Sequence, residues 1–154
     1  MSEIQTEFVM ELKLSVAQPL AAVGNTQYGD RRIARVTGGT FEGPGLKGTV
    51  HDGGGDWILN RTDGVTQLDV RLTMETEDGH LIYMTYKGLR HGPKEVMDRL
   101  AAGQPVDPSE LYFRTAPLFE TAADGPYAWM NKAIFVSTGD RKPEGPIYRV
   151  FKVL

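Results

Sequence analysis

The sequence predicts an all-β protein, a mainly antiparallel barrel of about eight to ten strands with one short helix. Three observations carry this. Apolar residues recur with period two along most of the chain. Asp-Gly pairs at Asp63-Gly64 and Asp78-Gly79 mark tight hairpin turns. Only one segment has helical spacing.

From Thr6 to Leu14, Phe8, Met10, Leu12 and Leu14 fall on one face and Glu7, Glu11 and Lys13 on the other. Ser15 to Asp30 reads as a long irregular loop, a lid or a wandering edge. Arg32–Thr37 and Trp57–Asn60 read as short strands. Val65–Thr76 alternates over its whole length and leads through Asp78-Gly79 into His80–Lys87, which gives a three-stranded meander. In "GPKEVMDRLAAGQPVDP" Pro93 opens a helix, Val96, Met97 and Leu100 make its apolar face, and Gly103 ends it, predicting a helix over residues 93–102. Ala128–Ser137 and Ile147–Leu154 read as two more strands, split by the turn-rich "TGDRKPEGP". No linker or repeat interrupts the pattern, so residues 1–154 form a single domain.

The segment Thr37–Trp57 holds eight of the chain's 18 glycines. Within it "GPGLKG" matches the dinucleotide fingerprint G-x-G-x-x-G, but Thr49, Val50 and "HDGGGDW" follow, where that motif needs a helix to hold the pyrophosphate. The glycines read instead as corners of a tightly curved barrel, where backbone must approach backbone.

The chain lacks cysteine, which removes disulfides, thiolate nucleophiles and thiolate metal sites and points to a cytoplasmic protein. "MSEIQTEF" has no signal-peptide character, and no apolar run approaches the ~20 residues that span a bilayer, so no membrane partner is expected. Net charge is −3, and the basic stretches "GDRRIAR" and "YKGLRHGPK" carry no interleaved aromatics suited to base stacking, so no nucleic-acid partner is expected. His51, His80 and His91 have no metal-ligand spacing, and no metal or cofactor is expected.

The blocks "RRIARVTGGTFEGPGLKGTVHDGGGDW", "DGVTQLDVRLTMETEDGHLIYMTYKG", "ELYFRTAPLFET" and "YAWMNKAIFVSTGDR" resemble the domain of unknown function 3237 family, also called uncharacterised protein family 0311. The resemblance covers nearly the whole chain and implies a calycin-like β-barrel without an established activity. Its motif positions are matched by Gly38, Gly39, Phe41, Gly43, Gly54, Asp56, Trp57, Asp69, Arg71, Trp129 and Asn131.

Candidate chemistry follows from residue type and spacing. Asp69, Arg71 and Thr73 share a strand face; an Asp two residues from an Arg can hold an ion pair that aims the guanidinium at a ligand oxygen. Asp56 beside Trp57 suits a general acid or base against an apolar wall. Tyr83 adds a phenol. Arg114, Trp129 and Asn131 add a second arginine, an indole and an amide as ligand contacts. Asp56, Trp57, Asp69 and Arg71 are expected to converge if the Asp-bearing face points inward. The competing arrangement turns Leu68, Val70, Leu72 and Met74 inward and leaves Asp69 and Arg71 as a solvated pair. Two functions stand: a cofactor-independent barrel enzyme doing acid–base chemistry on a small molecule, as a lyase, cyclase or isomerase, and a non-catalytic carrier of a small apolar or aromatic ligand. A structural subunit without ligand is a third. Strands with apolar residues on both faces lead us to expect a homodimer or larger homo-oligomer.

Overall fold

The structure is a computed structural model that describes residues 2–154. Its strands are β1 (Thr6–Val16), β2 (Ala21–Thr26), β3 (Gly29–Gly43), β4 (Leu46–Val50), β5 (Gly54–Asn60), β6 (Thr66–Thr76), β7 (Leu81–His91), β8 (Tyr112–Thr121), β9 (Phe135–Lys142) and β10 (Gly145–Val153). The one α-helix, α1 (Lys94–Ala101), lies between β7 and β8. Short 3-10 turns occupy Pro108–Glu110 and Ala128–Lys132.

All neighbouring strands are antiparallel, and eight of them close a ring in which β1 pairs with both β10 and β3. The Asp-Gly turns sit where the sequence places them, with Gly64 at φ +87° and Gly79 at φ +86°. The helix also falls within its expected span, between Pro93 and Gly103. Three segments differ from expectation. The expected loop Ser15–Asp30 contains β2, which pairs with the first half of β3. The glycine-rich stretch contains the whole of β4. Residues 128–132 form a 3-10 turn rather than a strand, and the strand begins at Phe135 and runs through the supposed turn to Lys142. Trp129 and Asn131 therefore share no strand face.

The ring turns on β3. Its first half pairs with β2 and β5, its second half with β1 and β4. Glycines make the exchange of partners sterically possible. A Cβ at Gly43 would fall inside the carbonyl oxygen of Val9, and one at Gly48 inside that of Glu75. Gly43 and Gly48 are thus points of contact between strands, as the curved-barrel reading requires.

Inward and outward faces follow from burial. On β6, Thr66, Leu68, Val70, Leu72, Met74 and Thr76 are buried. On β7 the inward row is Ile82, Met84, Tyr86, Gly88 and Arg90. At one end of the barrel, methionines, Phe41, Phe119 and Phe135 fill the interior, and Met130 from the 3-10 turn packs into this core. An eight-strand ring is just wide enough to be filled in this way. The opposite end is polar. There the inward positions are Asp30 and Arg32 of β3, Asp56 and Asn60 of β5, Thr66 of β6, Arg90 of β7 and Arg141 of β9. This end is the mouth, and the β7–β8 connection bearing α1 starts and finishes beside it.

If strand contact is what fixes Gly43, Gly43→Ala should lose more than about 2 kcal/mol by urea unfolding. Gly45, in the β3–β4 turn at φ +73° with open space around it, should lose only about 1 kcal/mol as Ala. Equal losses would contradict the contact reading.

Candidate functional site

Asp56 faces into the mouth. It stands opposite Ala34 of β3 and Val70 of β6, both buried inward residues. The β5–β6 ladder pairs Gly55 with Arg71, Asp56 with Val70, Leu59 with Gln67 and Asn60 with Thr66, and is open at Trp57 and Ile58 between them. The Asp69 backbone N–H, left without a strand partner in that gap, donates to Asp56 Oδ1 at 3.0 Å. Burial nevertheless dominates, and raises the Asp56 carboxyl from 3.8 to about 6 against the pull of that hydrogen bond and of Arg90.

Three further side chains complete the cluster. Tyr86 and Tyr148, from opposite walls, are both fully enclosed and meet edge to face at 5.1 Å. Burial pushes both phenols above their ordinary range, so they stay protonated and able to donate. Arg90 lies over the Phe113 ring, 5.3 Å from its centroid. Its Nε is shut off from solvent and hydrogen-bonds to nothing among the described residues. Burial first, then the nearby Arg141 cation, lowers Arg90 to about 10. Phe113 is held in turn by Tyr148, at 5.7 Å and 90°, and by Gly139, where a Cβ would come within 2.6 Å of the ring. Gly139 is therefore what lets the ring lie flat under the guanidinium.

The rim on the other side is self-satisfied. Arg32 pairs with Asp30 at 2.9 Å, Asn60 donates to Asp30, and Thr66 donates to Asn60. Asp30 is held below the ordinary carboxylate range, chiefly by Arg32.

Of the residues singled out in the sequence, only Asp56 enters this cluster. Asp69 and Arg71 alternate with Leu68, Val70 and Leu72 and so lie on the outer face; the aliphatic face wins the interior because burying it costs nothing in desolvation. Arg71 donates to the hydroxyl of Tyr83 there, at 3.1 Å. The four-residue convergence of Asp56, Trp57, Asp69 and Arg71 does not form. Register is one reason: the turn at residues 61–65 sets Asn60 against Thr66, not against Asp69. Trp57 is on the outer wall, 39% exposed, over Gly55. Arg114 is also outside, 5.6 Å from the Tyr112 ring, with Nη1 on the Phe113 carbonyl. Asn131 completes the end of β8, accepting from the Thr121 N–H at 2.8 Å and donating to its carbonyl at 2.9 Å. Trp129 packs on Phe135 beneath Lys152.

Sequence reasoning missed Tyr86, Arg90 and Tyr148. For Arg90 there was a signal: it ends the row Ile82, Met84, Tyr86, Gly88, and a cation continuing an apolar face is an anomaly to explain. Tyr148 lies in "PIYRVF", apolar on both faces, which hides its direction.

Among the described residues no group of three or more His, Asp or Glu side chains is placed to hold a metal. Two concavities lie on the outer wall rather than at the mouth. One, of about 340 Å³, sits between β1 and the β9–β10 turn. The other, of about 510 Å³, crosses β6 to β9 and is lined by Lys87, Leu89, Tyr112, Arg114 and Val136. No helix of the described residues is long and apolar enough to cross a membrane.

Comparison with known proteins places this geometry among relatives. The family model described as "Protein of unknown function (DUF3237)" matches residues 4–153. The UPF0311 protein blr7842 of Bradyrhizobium diazoefficiens is 34% identical over 151 residues, 98% of this chain and 97% of that protein. The crystal structure of RPA1785 from Rhodopseudomonas palustris, a conserved protein of unknown function, superposes with a TM-score of 0.91 at 32% identity, covering 100% of this chain and 99% of that one. A structure described as an enzyme from Penicillium herquei shares the fold, with a TM-score of 0.75 at 21% identity over 100% of this chain and 97% of that one.

The raised Asp56 carboxyl has a consequence for stability. It binds its proton more tightly folded than unfolded, so stability falls as pH rises from about 4 to about 6, and the loss is complete above that. A shift of this size corresponds to about 3 kcal/mol. Asp56→Asn keeps the acceptor for the Asp69 amide and removes the charge. It should be more stable than wild type at pH 8 by up to about 3 kcal/mol, with the gain vanishing near pH 4, read by urea unfolding across pH.

Proposed function

This chain belongs to the DUF3237 family, and on that premise we propose that it is a cofactor-independent enzyme that moves protons on a small organic substrate at the barrel mouth. The observation that carries the reading is Asp56: a carboxyl held near 6, beside two protonated phenols, on a rigid strand. A group with that pKa is competent both to take and to return a proton near neutral pH. The Asp56 carboxylate removes a proton from a substrate C–H or O–H. The electron pair left behind settles on a substrate oxygen, which the phenolic O–H groups of Tyr86 or Tyr148 stabilise. Asp56, now protonated, returns its proton elsewhere on the same molecule or, in an elimination, to the group that departs with the bond's electron pair. That sequence consumes no co-reactant and fits isomerisation, cyclisation or elimination. The neighbouring fold from Penicillium herquei, called an enzyme, supports the view that this barrel can carry catalysis, though fold alone does not assign chemistry.

The outer groove of about 510 Å³ favours a second reading, carriage of a small amphipathic molecule without turnover, because its walls combine Leu89, Tyr112 and Val136 with the cations Lys87 and Arg114 and its volume suits a small ligand. The cysteine-free composition supports a cytoplasmic home. We also propose that two copies pair through the outer face of β7, β8 and β9, where Leu81, Leu118 and Ile134, the last just before β9, are 54%, 55% and 62% exposed. Light scattering should give twice the 17.0 kDa chain mass; a monomer at working concentration would remove the pairing.

Proton transfer can be read without knowing the substrate. A panel of small ketones, enones and phenols incubated in D2O should include at least one that exchanges carbon-bound hydrogen faster with wild-type protein than without it. The rate should rise through pH about 6 and be lost in Asp56→Asn. Binding of panel members with no exchange at any pH would favour carriage.

A further inference from the structure

From the arginines that the proton-transfer scheme leaves unused, we infer that the mouth is built for an organic acid, its carboxylate seated on Arg90 and Arg141. The inference rests on the proposed chemistry for its location but on separate groups for its content.

The mouth carries three inward arginines, and they differ in what they already hold. Arg32 is satisfied by Asp30 at 2.9 Å. Arg90 and Arg141 form no ion pair with any of the described residues. They stand on β7 and β9, on either side of β8, which contributes the Phe113 ring over which Arg90 lies. Two cations on one end of a barrel repel each other, and the raised electrostatic cost falls on Arg90. The enclosed Nε of Arg90 adds a second cost, because a buried donor without an acceptor forfeits its hydrogen bond. A chain gains nothing from that pair unless something negative joins it.

A carboxylate suits the pair better than the alternatives on the chain itself. Its two oxygens match the fork of a guanidinium, and one charge shared between two arginines relieves their repulsion. Asp56 is the acid that acts on Arg90 in the mouth, but it forms no ion pair with it and its Oδ1 is taken by the Asp69 amide, so this one carboxyl compensates the two arginines only in part. An aromatic carboxylate is a suitable probe, because Arg90 lies over the Phe113 ring and Phe113 meets Tyr148 edge to face, so a charge seated on the guanidinium is felt by both rings.

The test uses benzoate, with benzamide as its neutral isostere, titrated into the full chain and followed by calorimetry and by NMR shifts of aromatic side chains. Benzoate should bind and move the Phe113 and Tyr148 signals, and benzamide should bind roughly tenfold or more weakly. Arg90→Gln should weaken benzoate by roughly 10- to 100-fold and leave benzamide unchanged. Arg141→Gln, at an exposed position, keeps the fold testable if Arg90→Gln does not fold, and should weaken benzoate by about tenfold. Equal affinity for benzoate and benzamide, or shifts confined to Tyr112 in the outer groove, would overturn the inference. Failure of deuterium exchange with benzoate binding intact would remove the proton-transfer reading alone. Exchange on neutral ketones with no preference for carboxylates would remove the organic acid alone.

Discussion

This ring of strands depends on one strand that changes partners part-way along, β3. Over residues 30–36 it lies against β5, and over residues 39–43 against β4 on one side and β1 on the other. The exchange is possible only because Gly39, at φ +153°, and Gly43 let carbonyl oxygens of β1 come where a side chain would otherwise stand. Everything at the mouth inherits its position from that pivot. The first half of β3 presents Asp30 and Arg32 inward and sets the register of β5, and β5 in turn carries Asp56.

Asp56 serves two needs that pull in different directions. It fills a break in the β5–β6 ladder by accepting from the Asp69 amide, which an asparagine would do as well. As a carboxylate it also resists being ionised in that setting. Keeping an ionisable group where a neutral isostere would satisfy the backbone costs stability, and perturbed carboxyls of this kind cluster at functional sites. The stack of Gly139, Phe113 and Arg90 makes the same point with packing: a residue without a side chain positions a ring, and the ring positions a charge.

Much of the architecture was legible. The Asp-Gly turns fixed the β5–β6–β7 meander because their geometry is local, and the helix was legible because Pro93 and Gly103 bracket it. β2 and β4 were hidden because they are short: β2 is "AAVGNT", without alternation, and β4, "LKGTV", alternates but offers only Leu46 and Val50 as apolar residues within a glycine-rich stretch that reads as turns. The 3-10 turn at residues 128–132 passed as a strand because its aromatic and apolar residues suit either conformation. In the site, the direction of β6 was left open between two faces, and burial resolves it in favour of the aliphatic one. Asp56 was legible as a candidate from its place after three glycines. Its actual neighbours were not: Tyr86 and Arg90 lie on β7 of the same meander and show only once its inward face is fixed, and Tyr148 arrives from β10, which closure of the ring brings near.

The pairing of β1 with β10 ties the order of synthesis to the order of assembly. Glu11 and Arg149, joined across that pair at 3.2 Å, are 138 residues apart in the chain. While a ribosome is still making β9, the edge of β1 that β10 will cover, from Thr6 to Lys13, is a bare row of amides and carbonyls. The nascent chain therefore emerges as an open sheet with two sticky margins, and it becomes a self-contained body only when β10 slides between them. Contacts of such long range are slow to form, so this barrel depends on protection during translation more than a meander closed by local hairpins would.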